Sequence, residues 1–266
     1  MESASATASA TASATASATI EKGNKGEKSE ILIKQLLFDH KANVEFLEQN
    51  LGNAGDVSLG IEIINVKTNQ PYTFKEEIKK AAARCKADII IKFNKTNMIR
   101  YVSMKALNGA KPSILNHTPR SAKVFQTILK ECIPYIDLLA QEYIQKRKSK
   151  AIGEDVQFYK LAAYKDENIK NSFIKTISYF VFTGTGSSIS PNECDGILLT
   201  NKDGSLKFID CDIAEKKYIY ITSLIDNCTI SFRSKGMPKK INDICLPWIY
   251  TNEINGTKCG SIHVRL

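Results

Sequence analysis

The chain of 266 residues carries 37 lysines and arginines against 28 acids, a formal net charge of +9, with 43% hydrophobic residues and seven cysteines. That apolar share can bury the core of one large domain or two small ones; no run of 18 or more apolar residues occurs and no secretory leader is evident, so a helical membrane protein is excluded and a soluble, intracellular (cytoplasmic) protein is expected. The cysteines, odd in number and without a close pair, fit neither a disulfide framework nor a zinc ribbon, while the cationic surplus suits a phosphate-rich partner.

Residues 3 to 19 repeat Ser-Ala-Thr-Ala and hold nothing large to bury, so residues 1–29 are expected to be a disordered tail and linker. Between Glu30 and Leu51 the apolar residues Ile31, Ile33, Leu36, Leu37, Val44, Phe46, Leu47 and Leu51 recur near helical spacing and Gly52 supplies a stop, predicting one helix or a broken pair. Val57 to Val66 reads as a strand ending at Asn69-Gln70-Pro71, and Thr73 followed by Glu76 as a capping box for a short helix through Arg84.

The most informative stretch runs from Lys86 to Arg120, KADIIIKFNKTNMIRYVSMKALNGAKPSILNHTPR. Two apolar runs flank a polar break at Asn94–Asn97, which predicts a β-hairpin. With Lys95 and Thr96 at the centre of a four-residue turn, opposed residues have numbers summing to 191, so Asp88 faces Ser103. Side chains alternate along a strand, which places Ser103 and Lys105 on the face of Asp88, and Ile89, Ile91, Val102 and Met104 on the other. Ile89–Ile91 is continuously apolar, as in a strand covered on both faces, where an Asp requires a reason. A Pro/Gly/His/Arg-rich loop follows.

These residues resemble the PD-(D/E)XK nuclease superfamily, to which many restriction endonucleases belong. An Asp on one strand (Asp88, in Lys86-Ala87-Asp88-Ile89-Ile90) precedes a residue-x-Lys triplet ending the next (Ser103-Met104-Lys105), a Ser-x-Lys variant of the usual acidic triplet. Ser113-Ile114-Leu115-Asn116-His117 looks like the segment following that variant in some restriction-enzyme-like proteins. The similarity spans about 35 residues. It departs from the pattern in having no Pro before Asp88 and Ser103 at an acidic position. The resemblance implies an α/β fold, a restriction-endonuclease-like core with a mixed central β-sheet flanked by helices, and Asp88, Ser103 and Lys105 as catalytic residues.

Phosphodiester hydrolysis asks for such a set on chemical grounds. Mg²⁺ takes oxygen ligands from one or two carboxylates, polarises the phosphoryl oxygen and lowers the pKa of water; Asp88 is the natural metal ligand, and Lys105 can orient water or offset developing charge. Glu45, Glu48 and Glu62 are candidates for a further acid. Lys111, His117, Arg120 and Lys123 are candidate DNA contacts, with Thr118-Pro119 opening a helix whose N-terminus suits phosphate. That helix is expected to continue to Ile144, kinked at Pro134, and to end in the basic run QKRKSK.

In the second half, Phe173–Phe182 is rich in aromatic and β-branched residues before a Thr-Gly-Thr-Gly turn. Ile197–Leu199 and Leu206–Ile209 flank the hairpin signal Asn201-Lys202-Asp203-Gly204. Tyr218–Leu224, Thr229–Phe232 and Ser261–Leu266 read as further strands. Cys194, Cys211, Cys228 and Cys245 fall at a constant interval of 17 residues, read as coincidence among core positions rather than a metal cage. Arg233 ends a strand with a cation that can reach DNA.

The expected organisation is a tail and linker (1–29), a nuclease-like core (30–150) and a C-terminal α/β part (151–266) completing the domain or reading DNA. The expected function is Mg²⁺-dependent cleavage of double-stranded DNA, with a homodimer accounting for double-strand cutting of a symmetric site. The alternatives are a catalytically inactive nucleic-acid-binding protein with a degenerate nuclease core, and a structural or packaging protein whose basic charge is compositional bias.

Overall fold

The computed structural model describes residues 25–79, 85–107, 113–116, 119–153, 156–157, 160–185, 189–201, 203–233, 253–254, 257–258 and 261–265. It is an α/β protein built on a five-stranded mixed sheet in the order β1-β2-β3-β6-β7. These strands are β1 (Ile61–Ile64), β2 (Ile89–Phe93), β3 (Ile99–Ala106), β6 (Gly196–Thr200) and β7 (Leu206–Asp210). β1, β2 and β3 form an antiparallel meander; β6 returns parallel to β3, and β7 folds back antiparallel to β6. A second sheet, order β4-β11-β8-β5, joins β4 (Ser113–Asn116), β5 (Val156–Gln157), β8 (Thr229–Arg233) and β11 (Ser261–Arg265), and β9 (Glu253–Ile254) pairs with β10 (Thr257–Lys258).

The central sheet is covered on both faces. Helices α1 (Lys25–Asp39) and α2 (Val44–Leu51) bury Ile33, Leu37, Leu47 and Leu51 against Ile89, Ile91, Val102, Met104, Leu198 and Phe208. The opposite face packs, through residues such as Ile197, on α3 (Pro119–Thr127), α4 (Ile133–Lys148), α5 (Glu167–Ser178) and α6 (Ala214–Asn227). The continuously apolar run Ile89–Ile91 is buried throughout, as a strand covered on both faces requires.

Several expected elements change. The first helical stretch is a broken pair, as allowed, but α1 begins at Lys25, so the end of the expected linker is helical; Ser29, Ile33 and Leu37 continue its buried stripe at four-residue spacing. β1 is trimmed to four residues because the chain must turn at Gly60, whose φ of +76° suits glycine and where an added Cβ would lie 2.6 Å from the Lys41 carbonyl oxygen. The expected capping box becomes a single 3₁₀ turn at Lys75–Glu77, with Glu77, not Glu76, accepting from the Thr73 and Phe74 N–H groups at 3.0 and 3.2 Å. Residues 80–84, the rest of that expected helix, lie outside the described residues, as do the Ser-Ala-Thr-Ala repeat and Cys245.

Pro134 does not kink one long helix. It stands in the first turn of α4, where a missing N–H leaves no bond unmade. Phe173–Phe182 and Tyr218–Leu224, strand-like in composition, are helical. Ile169, Phe173, Thr176 and Ile177 bury one face of α5, and Asp166 caps it by accepting from the Asn168 and Ile169 N–H groups. Ile221, Leu224 and Ile225 do the same for α6. The loop expected after β3 contains β4, paired with the distant β11. Cys194, Cys211 and Cys228 are fully buried core residues. Among the described residues no helix is long and apolar enough to cross a membrane.

Candidate active site at the end of the hairpin

The hairpin forms in the expected register. Phe93 N–H donates to the Met98 carbonyl at 2.9 Å, closing a loop that ends at Asn97 in the left-handed region, φ +55°. The pairs Ile89–Val102, Ile90–Tyr101, Ile91–Arg100 and Lys92–Ile99 each sum to 191. At Asp88 the regular ladder stops. Its N–H donates to the Val102 carbonyl at 2.8 Å, and its carboxylate crosses to β3, where Oδ2 accepts from the Met104 N–H at 2.6 Å and the Ser103 hydroxyl at 3.1 Å. Continuing the register would have offered Met104 the Ala87 carbonyl, since 87 and 104 also sum to 191. The Asp88 carboxylate therefore takes the place of a backbone rung.

Two hydrogen bonds converge on one oxygen of Asp88, while Oδ1 has none among the described residues. Ser103 is 1% exposed, so its hydroxyl is committed to this contact. Lys105, two residues on and partly buried, shares the face of Ser103 and lies beside Leu199 of β6. Asp88 and Ser103 thus meet at the C-terminal end of the parallel pair β3–β6, with Lys105 further along the same face of β3.

Lys86 belongs to the same neighbourhood although the sequence reading passed over it. Its N–H donates to Ser190 Oγ at 3.0 Å and its ammonium to the Phe180 carbonyl at 2.5 Å, tying the entry to β2 to the helical turn Tyr179–Thr183 that follows α5 and to the loop before β6. Burial pulls this ammonium from the usual lysine range down to about 8; the charge of Lys105 acts in the same direction and that of Asp88 against it. The signal that could have found it is the alternation that selected Ser103 and Lys105, because residue 86 falls on the face of residue 88. Cys194, nearby, is no nucleophile: burial pushes its thiol up to about 11 and its sulfur donates to the Gly196 carbonyl at 2.9 Å.

The candidate further acids do not join the site. Glu62 pairs with Lys92 at 3.2 Å and lies opposite it on β1, four strand residues from Asp88, or about 13 Å along the ladder. Glu45 and Glu48 are exposed on α2, which covers the other face of the sheet. Among the described residues no group of three His, Cys, Asp or Glu side chains is placed to hold a metal ion.

A second charged cluster stands at the other end of β3 and is structural in character. Buried Arg100 donates to the Ala54 carbonyl at 3.0 Å and pairs with Asp210 at 3.4 Å and Asp212 at 3.3 Å; Lys216 bridges the same two acids. Beside it Asp195 Oδ1 accepts from the Tyr101 N–H at 2.7 Å, and burial holds its carboxyl up at about 6.

Of the expected DNA contacts, Lys123 is exposed on α3. Arg120 is the second residue of α3 and Arg233 the last of β8, positions for which only the backbone is described. Lys111 and His117 lie outside the described residues. The basic end of α4 is partly occupied within the protein, Lys146 pairing with Glu142 at 2.6 Å and Arg147 donating to the Ile152 carbonyl at 3.2 Å. No protein-family model, curated protein or solved structure matches this chain.

Proposed function

We propose that the protein is a Mg²⁺-dependent DNA endonuclease of restriction-enzyme type that hydrolyses phosphodiester bonds in double-stranded DNA. The observation that carries this reading is the Asp88 carboxylate. It leaves the ladder, is fixed through Oδ2 by Ser103 and Met104, and keeps Oδ1 without a hydrogen bond among the described residues, with Lys105 on the same face. The sequence of elements agrees with a restriction-endonuclease-like core: a helix, the meander β1-β2-β3, a helical crossover and the parallel strand β6.

Asp88 would hold the cation through Oδ1. One protein carboxylate is a sparse donor set, but Mg²⁺ ordinarily completes its shell with water and substrate phosphate rather than with a cage of side chains. When bound, the ion supplies Lewis-acid polarisation of the phosphoryl group and a more acidic water. Ser103 and the Met104 N–H fix the carboxylate so that no reorganisation accompanies substrate binding. Lys105 offsets charge that develops on the phosphate. A homodimer would present two such sites to a symmetric duplex.

A second reading, a catalytically silent DNA-binding protein, is favoured by one observation: Ser103 stands where a second carboxylate would, and among the described residues no group of three His, Cys, Asp or Glu side chains is placed to hold a metal ion. Incubating supercoiled plasmid with the protein in Mg²⁺ or in EDTA separates the two. The nuclease nicks or linearises plasmid in Mg²⁺ alone, with discrete fragments if it is sequence-specific. Retarded but uncut plasmid in both conditions would select the silent binder.

A further inference from the structure

Lys86 has no part in the chemistry assigned to Asp88 and Lys105, yet it occupies the same end of the sheet. No acid forms an ion pair with it among the described residues, and its ammonium rests on the Phe180 carbonyl alone. Drawing an ammonium out of water is destabilising when no carboxylate pairs with it directly and the nearby charge of Asp88 is opposed by that of Lys105, so its retention calls for a compensating ligand. An ammonium has three N–H donors, and Phe180 takes one.

The strand geometry indicates what that ligand is. β2 and β3 run antiparallel, so Lys86, two residues before Asp88, and Lys105, two residues after Ser103, both lie beyond the Asp88–Ser103 contact towards the same end of the sheet. Alternation puts them on one face, and each is close enough for the charge of Lys105 to be felt at Lys86. Two cations thus border a single carboxylate whose Oδ2 is already occupied. A site of that sign attracts an anion more readily than a free divalent cation.

Resting on the nuclease reading for its substrate, we propose that Lys86 and Lys105 form a phosphate-binding subsite that takes a backbone phosphate of duplex DNA with no metal ion present. Lys86 is the inner donor, steadied by Phe180 and Ser190, and Lys105 the outer one. Asp88 opposes the phosphate until a cation joins it.

The test is fluorescence anisotropy of a labelled short duplex with the full chain in EDTA, at several salt concentrations. Wild type binds. Lys86→Met and Lys105→Met each weaken binding about tenfold and flatten the plot of log affinity against log salt by about one counterion. Lys86→Arg retains binding, and Asp88→Asn tightens it. Wild-type affinity and salt slope in folded Lys86→Met would overturn the subsite; should that variant fail to fold, Lys86→Gln against Lys86→Arg decides the matter in the same way. Wild type that binds through Lys86 but never cuts in Mg²⁺ would end the nuclease reading and leave the subsite standing. Wild type that cuts, with EDTA binding indifferent to Lys86, would do the reverse.

Discussion

Asp88 illustrates how one side chain can end a strand and begin a site. By accepting the Met104 N–H it satisfies a backbone donor that the ladder would otherwise have served, and the buried Ser103 hydroxyl completes the arrangement. Ser103→Ala is expected to leave the fold intact and to lower unfolding free energy by about 1.5–3 kcal/mol, the usual range for a hydrogen bond to a charged group, in urea titration. At the far end of β3, Asp195 is a carboxyl raised by burial to about 6, partly opposed by the Tyr101 N–H. A folded-state pKa above the unfolded value means that the ionised form is a liability: its full penalty applies above pH 6, shrinks as pH falls from about 6 to about 4, and vanishes below that, where both states are protonated. Asp195→Asn, whose amide oxygen can still accept from Tyr101, should therefore melt higher than wild type at pH 8, with the gap narrowing between about pH 6 and pH 4 and closing below that. An equal melting temperature at pH 8 would contradict this assignment.

At the scale of elements, β3 is secured at one end by charge. Arg100 is 7% exposed and faces Asp210 and Asp212, and Asp210 Oδ1 has no hydrogen-bond partner besides that ion pair. Arg100→Met leaves two carboxylates with Lys216 alone and is expected to destabilise the protein by about 3–5 kcal/mol in urea titration. The hairpin was legible because its determinants are local: a four-residue loop sets the register, and period-two alternation sets the faces. α5 and α6 were not, because their aromatic and β-branched residues favour strands by composition, whereas burial at three- and four-residue spacing selects the helix. Pro134 misled in a similar manner: a proline inside an apolar stretch reads equally as a kink or as a helix start, and only the intervening 3₁₀ turn at Lys130–Cys132 distinguishes them.

For the whole molecule, long-range order was the illegible part. β6 reaches β3 after a crossover of some 90 residues, and β4 pairs with β11 near the other terminus, neither of which any local pattern announces. The crossover nevertheless decides the site, because it places a parallel strand beside Ser103 and Lys105 and carries the Phe180 carbonyl and Ser190 to Lys86. Lys86 went unremarked for that reason: its position was readable from alternation, but its partners lie about 100 residues away in sequence. The net charge of +9 sets the background for any encounter with DNA.

The central claim is that Asp88 and Lys105 perform phosphodiester hydrolysis. The most direct measurement is the rate of Mg²⁺-dependent plasmid cleavage by wild type beside Asp88→Ala and Lys105→Ala, all shown to be folded by circular dichroism. The account predicts cutting by wild type and loss of at least about a hundredfold in each variant. Equal cutting by all three proteins would contradict it.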